Sequence, residues 1–232
     1  MNAEVVTERL FQSLVSGDRA TARTVVEEAV ETGASWEELA FTIFWPSLEM
    51  VSKLYRADQL TTLAHNYATR MLRSLIDQAQ AGYAQRTRNG RKILLFSGPS
   101  EVDELAGQVT ADLAEAGGYE VLFGGGGIAN DEILGEVGEH RPDILLLFAS
   151  APTDLPNIRH LIDQIRDVGS CPQMQIVVGG GVFNRAEGLA EEIGADLWAR
   201  DPEELLQRLH AERDRRATPE QRTVGKGRAN AA

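Results

Sequence analysis

"KILLFSGPSEVDELAGQVTADLAEAGGYEVLFGGGG", residues 92–127, holds two near-continuous apolar runs on either side of an amphipathic stretch. A strand with one wet face alternates apolar and polar residues, whereas runs such as 93–96 predict strands covered on both faces. The stretch near 102–117 between them reads as a helix, so the unit is strand, helix, strand. The pattern recurs in "DILLLFAS" (143–150), "QIVVGGG" (175–181) and the shorter "ADLWA" (195–199), with helices expected near 130–139, 154–168, 184–193 and 201–212. Five strands alternating with helices predict an α/β domain over 91–212, a doubly wound five-stranded parallel sheet of Rossmann-like, flavodoxin-like type. Ligands of such sheets sit at the carboxyl ends of the strands.

Upstream, residues 1–84 read as a four-helix bundle. Val6, Leu10 and Leu14 recur at helical spacing, Ser16 or Asp18 can cap a second helix that stops at Gly33, and Ser35 with Glu38 forms a capping box for a third. Pro46 lies inside that third helix and is expected to kink or break it. A fourth follows Asp58. The cation-rich stretch around 85–90, with its Asn-Gly pair, reads as a linker, and "RDRRATPEQRTVGKGRANAA" (213–232) as a disordered end.

With 43% hydrophobic residues, a chain of 232 can bury a real core, and its net charge of −12 opposes nonspecific nucleic-acid binding. The single Cys171 excludes an internal disulfide and any multi-cysteine metal site. No signal peptide or membrane span is legible, so a cytoplasmic protein is expected.

The strand ends form one rim of loops rich in Gly, Ser, Asn, Pro and acids: 98–104, 124–130, 149–157 and 179–185. "FGGGGIAN" and "VVGGGVFN" offer backbone that a ligand can approach, but neither fits G-x-G-x-x-G or the phosphate loop of nucleoside triphosphatases. No Ser-His-acid set, Cys-His pair or metal cluster is legible, so no catalytic or metal-ligating residue is put forward and a non-enzymatic role is expected. His140, His160 and His210 are expected at the surface. The acids at 101–104 suit a helix N-terminus, whose dipole they complement.

Over roughly residues 8 to 210 the chain resembles the cobalamin-binding domains preceded by a helical-bundle cap, as in methionine synthase and, more closely, light-responsive cobalamin-dependent regulators. "EVDELAGQVTADLAEAGGYEVLFGGG" stands where the family has D/E-x-H-x-x-G and the helix and strand after it. "RPDILLLFASA" stands where it has a Ser-bearing third strand, and "IVVGGGVFNRAEGLAEEIGADLWARDPEEL" matches its Gly-Gly loop and Gly-Ala-Asp ending. "SGDRATARTVVEEAVETGASWEELAFTIFWPSLEMVSKLYRADQLTTLAHNYAT" is similar to the cap. The resemblance implies that Ser150, Gly179, Gly180 and Gly181 border a nucleotide-tail groove, that Glu101 and Asp103 face the lower side of the ligand, and that Trp45, Tyr55, His65 and Asn66 face its upper side. It also implies that Gly180→Trp blocks ligand uptake and leaves the fold intact.

The chain departs from the family where cobalt chemistry is concerned. Counting back from Gly118 puts the family's lower-ligand His on Asp103, and counting to Gly107 puts it on Glu104, so a carboxylate stands there in either case. A carboxylate suits a low-spin cobalt centre less well than imidazole does. Cobalamin is therefore expected either with its own base retained or without a protein ligand. In the cap, His65-Asn66 replaces the Glu-His of the light-responsive group and Tyr55 stands where a Trp is common.

Four functional readings follow from the resemblance. The leading one is a sensor or regulator, light-responsive where the cofactor is an alkylcobalamin, that acts through a regulatory protein partner rather than on DNA. The others are a photoreceptor or binding protein for a linear tetrapyrrole (bilin) in the same cleft, a corrinoid carrier for methyl transfer, and a ligand-free interaction module. Self-association stays open in all of them.

Overall fold

A computed structural model of the chain describes residues 3–221, which divide into two compact units between Arg86 and Thr87. That division falls within the stretch 85–90 read as a linker. The first unit contains α1 (Ala3–Ser16), α2 (Arg19–Glu31), α3 (Trp36–Leu39), a π-turn (Ala40–Phe44), α4 (Trp45–Arg56) and α5 (Thr62–Gln80). Asp18, not Ser16, caps α2, because its carboxylate accepts the Thr21 N–H at 3.0 Å. The Ser35 hydroxyl accepts the Glu38 N–H at 3.1 Å to start α3, and the Thr61 hydroxyl accepts the Ala64 N–H to start α5. Apolar residues at helical spacing, among them Leu10, Leu14, Val25, Phe44, Leu48, Leu72 and Ile76, are buried and make the bundle core.

The expected interruption at Pro46 takes the form of the π-turn just before it. Ala40 and Trp45 keep helical dihedrals, and the Trp45 N–H reaches back five residues to the Ala40 carbonyl. Proline has no N–H to offer the carbonyl four residues earlier. That carbonyl, of Thr42, accepts instead from the buried Thr7 hydroxyl of α1 at 3.2 Å, so one helix continues from Trp36 to Arg56 without a break.

The second unit carries β1 (Lys92–Ser97), α6 (Glu101–Ala116), β2 (Glu120–Gly126), α7 (Asn130–His140), β3 (Ile144–Phe148), a 3-10 turn (Pro152–Asp154), α8 (Leu155–Val168), β4 (Gln175–Gly179), α9 (Gly181–Arg185), α10 (Leu189–Glu192), β5 (Leu197–Ala199) and α11 (Pro202–Ala211). The sheet is wholly parallel, in the order β2-β1-β3-β4-β5. Leu94, Leu145 and Ile176 stand side by side in register, and with Phe96, Leu147 and Val178 they pack against Val137 of α7 and Leu161, Ile162 and Ile165 of α8. Ile93, Leu95, Leu146 and Val177 alternate with them and are also buried, which is why these runs carry no polar residues. The sheet is α/β and doubly wound, as the runs predicted.

Two segments differ from the expectations. The single helix over 184–193 is two short helices, α9 and α10, parted at extended Ala186 and at Gly188 with φ +78°. The unstructured end also begins later than 213. Ala217 N–H donates to the Asp196 carboxylate at 2.6 Å, and the buried Gln175 side chain donates to the Glu212 carbonyl at 2.9 Å. These buried polar groups at the amino ends of β4 and β5 need partners, and the segment after α11 supplies them. Residues 222–232, the remainder of the expected disordered end, lie outside the described residues. Among the described residues no helix is long and apolar enough to cross a membrane.

Candidate functional site

In a sheet of this order the crevice opens between the carboxyl ends of β1 and β3, where neighbouring strands send their connections to opposite faces. The loop after β1 is organised by Ser100. Its hydroxyl accepts the Asp103 N–H at 3.1 Å, capping α6, and donates to Asp103 Oδ2 at 2.6 Å. Asp103 is thereby held inward with only 2% of its surface exposed, while Glu101 at the start of the same helix is exposed. Glu104 enters the helix ladder, its N–H donating to the Ser100 carbonyl.

The loop after β3 brings a second carboxylate to the same place. A β-carbon on Gly98 would lie 2.7 Å from Asp103 Oδ2 and 3.3 Å from Asp154 Oδ2, so both side chains turn toward one glycine. Asp154 Oδ2 and Ser97 Oγ are buried atoms without a hydrogen-bond partner among the described residues. Orphaned polar atoms of this kind at a crevice mark a place where a polar ligand completes the bonding.

Between β3 and β4 the strand ends are stitched by the backbone, with Ala149 N–H donating to the Gly179 carbonyl at 3.0 Å and Val182 N–H to the Ala149 carbonyl at 3.4 Å. Gly180 has φ +102° and ψ 170°, a region open to glycine alone, and a β-carbon there would collide with the Ala149 carbonyl oxygen. The expectation that Gly180→Trp spares the fold is therefore corrected: any side chain at this position strains the backbone before it can reach a ligand. Gly181 is different. The atoms nearest to a β-carbon there are side-chain ones, the Arg185 guanidinium 2.7 Å away and the Ser150 hydroxyl at 3.7 Å. Arg185 Nη2 in turn donates to the Ser150 carbonyl at 2.6 Å, tying the β4 loop to the β3 loop.

In the helical unit, Tyr55 near the end of α4 stacks on His65 in the first turn of α5, ring centroids 4.0 Å apart and planes 28° from parallel. His65 is buried and Tyr55 is 37% exposed, so the pair presents the tyrosine outward. Asn66 beside it is half-buried, and Trp45 is buried at the start of α4. Of the remaining histidines, His160 and His210 are exposed, whereas His140 is half-buried beside Glu136.

Ser100, Asp154 and Arg185 were not among the expected site residues. Ser100 was legible, since Ser-x-x-acid before an apolar-periodic run is a capping signature. Asp154 and Arg185 take their places from loops that only the strand order brings together.

The family model of the B12 binding domain matches residues 91–207, half of the chain, and a second B12 binding domain model matches residues 6–80. This chain belongs to the B12-binding domain family. Trimethylamine corrinoid protein 2 of Methanosarcina mazei is 21% identical over 211 residues, covering 90% of this chain and 96% of that protein. A corrinoid protein of Desulfitobacterium hafniense is 20% identical over 205 residues, covering 86% of this chain and 94% of that one. The solved structure of the monomethylamine corrinoid protein of Methanosarcina barkeri superposes with a TM-score of 0.67 at 15% identity, over 88% of this chain and 96% of that one, and shares its fold.

The B12-binding assignment agrees with part of the geometry. The orphaned Ser97 and Asp154 atoms offer polar partners at the crevice, whereas Gly179 and Gly180 are buried against Phe148 and the Ala149 backbone. It agrees less with a protein-ligated cobalt. The turn that opens α6 holds Asp103, already bonded to Ser100, and no imidazole.

Proposed function

We propose that this chain is a corrinoid carrier, a protein that holds a corrinoid and offers it to a partner protein for methyl transfer. The observation that carries the reading is the end-to-end likeness to a trimethylamine corrinoid protein, 90% of this chain against 96% of that one, both units included. A bound corrinoid would supply a cobalt centre able to accept and release a methyl group. In this reading Gly179, Gly180, Gly181 and Ser150 border the cofactor's nucleotide portion, and Asp103 lies on the lower side as a fixed carboxylate rather than a ligand. Trp45, Tyr55, His65 and Asn66 belong to the upper side, with the exposed Tyr55 ring as the contact.

The sensor reading stands second, favoured by Asp103 itself, because a carboxylate already bonded to Ser100 would suit a bound cobalt centre less well than the imidazole usual in methyl-transfer carriers. One experiment separates the two. The purified chain is incubated in darkness with hydroxocobalamin, with methylcobalamin and with biliverdin, passed through a desalting column, and its spectrum recorded. The hydroxocobalamin sample is then reduced with titanium(III) citrate and treated with methyl iodide. A carrier retains the corrin and regains the methylated spectrum while still bound. A change of oligomeric state on illuminating the methylcobalamin sample puts the sensor first, retention of biliverdin puts the bilin reading first, and retention of none of them defeats all three.

A further inference from the structure

The Asn-Gly pair at 89–90 stands where the chain turns into β1, and no other asparagine of the sequence precedes a glycine. Asn89 fastens this turn at two points. Its backbone N–H donates to the Gly118 carbonyl at 2.9 Å, and its side-chain Oδ1 accepts the Arg91 N–H at 2.9 Å. The second bond makes an Asx-turn, which carries the side-chain amide across the intervening glycine. Gly90 is exposed, with φ +74°, and nothing lies within 4 Å of where its β-carbon would be. Neither the Gly90 N–H nor the Asn89 side-chain NH2 has a hydrogen-bond partner among the described residues.

We propose that Asn89 deamidates in the folded protein, and that the isoaspartyl product unfastens the turn into β1. The Gly90 nitrogen gives up its proton to solvent and attacks Asn89 Cγ. The Cγ–Nδ2 bond then breaks, ammonia leaves and a cyclic imide closes. Water opens that ring at either carbonyl, giving aspartate, or isoaspartate with the main chain running through Cγ. Each feature of the turn favours the attack. Negative charge develops on Oδ1, where the Arg91 N–H already donates. The nucleophilic nitrogen and the leaving amide are unengaged, and a glycine has no β-carbon to hinder closure. Isoaspartate lengthens the main chain by one bond between the Gly118 contact and β1, and it turns the Oδ1 acceptor into a main-chain carbonyl. The reaction needs no corrinoid, so the inference stands apart from the function proposed above.

The test is to hold the purified full chain at mildly alkaline pH and to follow Asn89 by peptide mass spectrometry, beside a synthetic peptide of residues 86–92. The expected result is the mass gain of an NH2 replaced by OH, at a rate no lower than the peptide's. The gain is lost in Asn89→Gln, whose longer side chain has to close a larger ring. A rate in the folded chain below the peptide's overturns the site, because the fold would then protect it. The isoaspartyl form, separated by ion exchange, is expected to unfold at a lower urea midpoint than Asn89→Asp, which carries the same charge on an unaltered main chain. Equal midpoints overturn the unfastening of the turn.

Discussion

At the scale of single residues, the two adjacent glycines of the β4 loop differ in what a β-carbon would meet: backbone at Gly180, the end of a flexible side chain at Gly181. Gly180 occupies φ +102° and ψ 170° against the Ala149 carbonyl, so Gly180→Ala is expected to destabilise the second unit by about 1–3 kcal/mol, whereas Gly181→Ala should fall within about 1 kcal/mol of wild type. Urea denaturation followed by circular dichroism checks the pair, and equal effects would refute the distinction. Asp196 is a second such residue. Its side chain is fully buried, and it accepts from Ile176 N–H, Ala217 N–H and the Arg166 guanidinium, each at 2.6 Å. Asp196→Ala leaves the buried Ile176 N–H without its acceptor and the guanidinium without its counter-charge. With Arg166 one-third exposed, a loss of about 3 kcal/mol is expected, at the lower end of the range for breaking a buried pair. The denaturation midpoint in urea, with an unchanged slope, is the measurement.

At the scale of elements, short apolar runs such as 93–96 and 144–148, alternating with amphipathic helices, made a parallel sheet buried on both faces legible in the sequence, but not the order of its strands. Pro46 announced an interruption but not its kind. The π-turn depends on Thr7, thirty-five residues away, as the substitute donor to the Thr42 carbonyl. Thr7→Val, which keeps the shape and removes the hydroxyl, should cost the helical unit about 1 kcal/mol. A thermal midpoint equal to wild type would show that the Thr42 carbonyl finds another partner. The same limit applies at the site. Asp103 was singled out by the resemblance, and its Ser100 partner is legible as a capping signature. The meeting of Asp103 with Asp154 at Gly98, and of Arg185 with Ser150, follows from β1 and β4 both lying beside β3, which no local pattern states.

At the scale of the whole molecule, the segment after α11 continues the fold beyond the last helix. Glu212 is its hinge point: Arg208 Nε and Arg215 Nη1 donate to its carboxylate at 2.7 Å and 2.8 Å, and its carbonyl accepts from Gln175. The hydrogen bond from Arg208, then that from Arg215, holds the carboxyl at a pKa of about 2, below its ordinary value of 4.5. A carboxyl depressed by folding contributes stability that is fully present above 4.5 and is lost as pH falls through 2, because the unfolded chain takes up the proton first. Glu212→Gln removes the charge, so the variant should be less stable than wild type at neutral pH, with the gap narrowing as pH falls through this window. Other carboxylates titrate in the same window, so the informative quantity is the difference between the two urea midpoints, followed from neutral pH to about pH 3. A difference that stays constant across that range would mean that Glu212 does not anchor the segment through its charge. A difference that closes would make the ion pairs around Glu212 the acid-labile fastening of residues 212–217 to the start of β4.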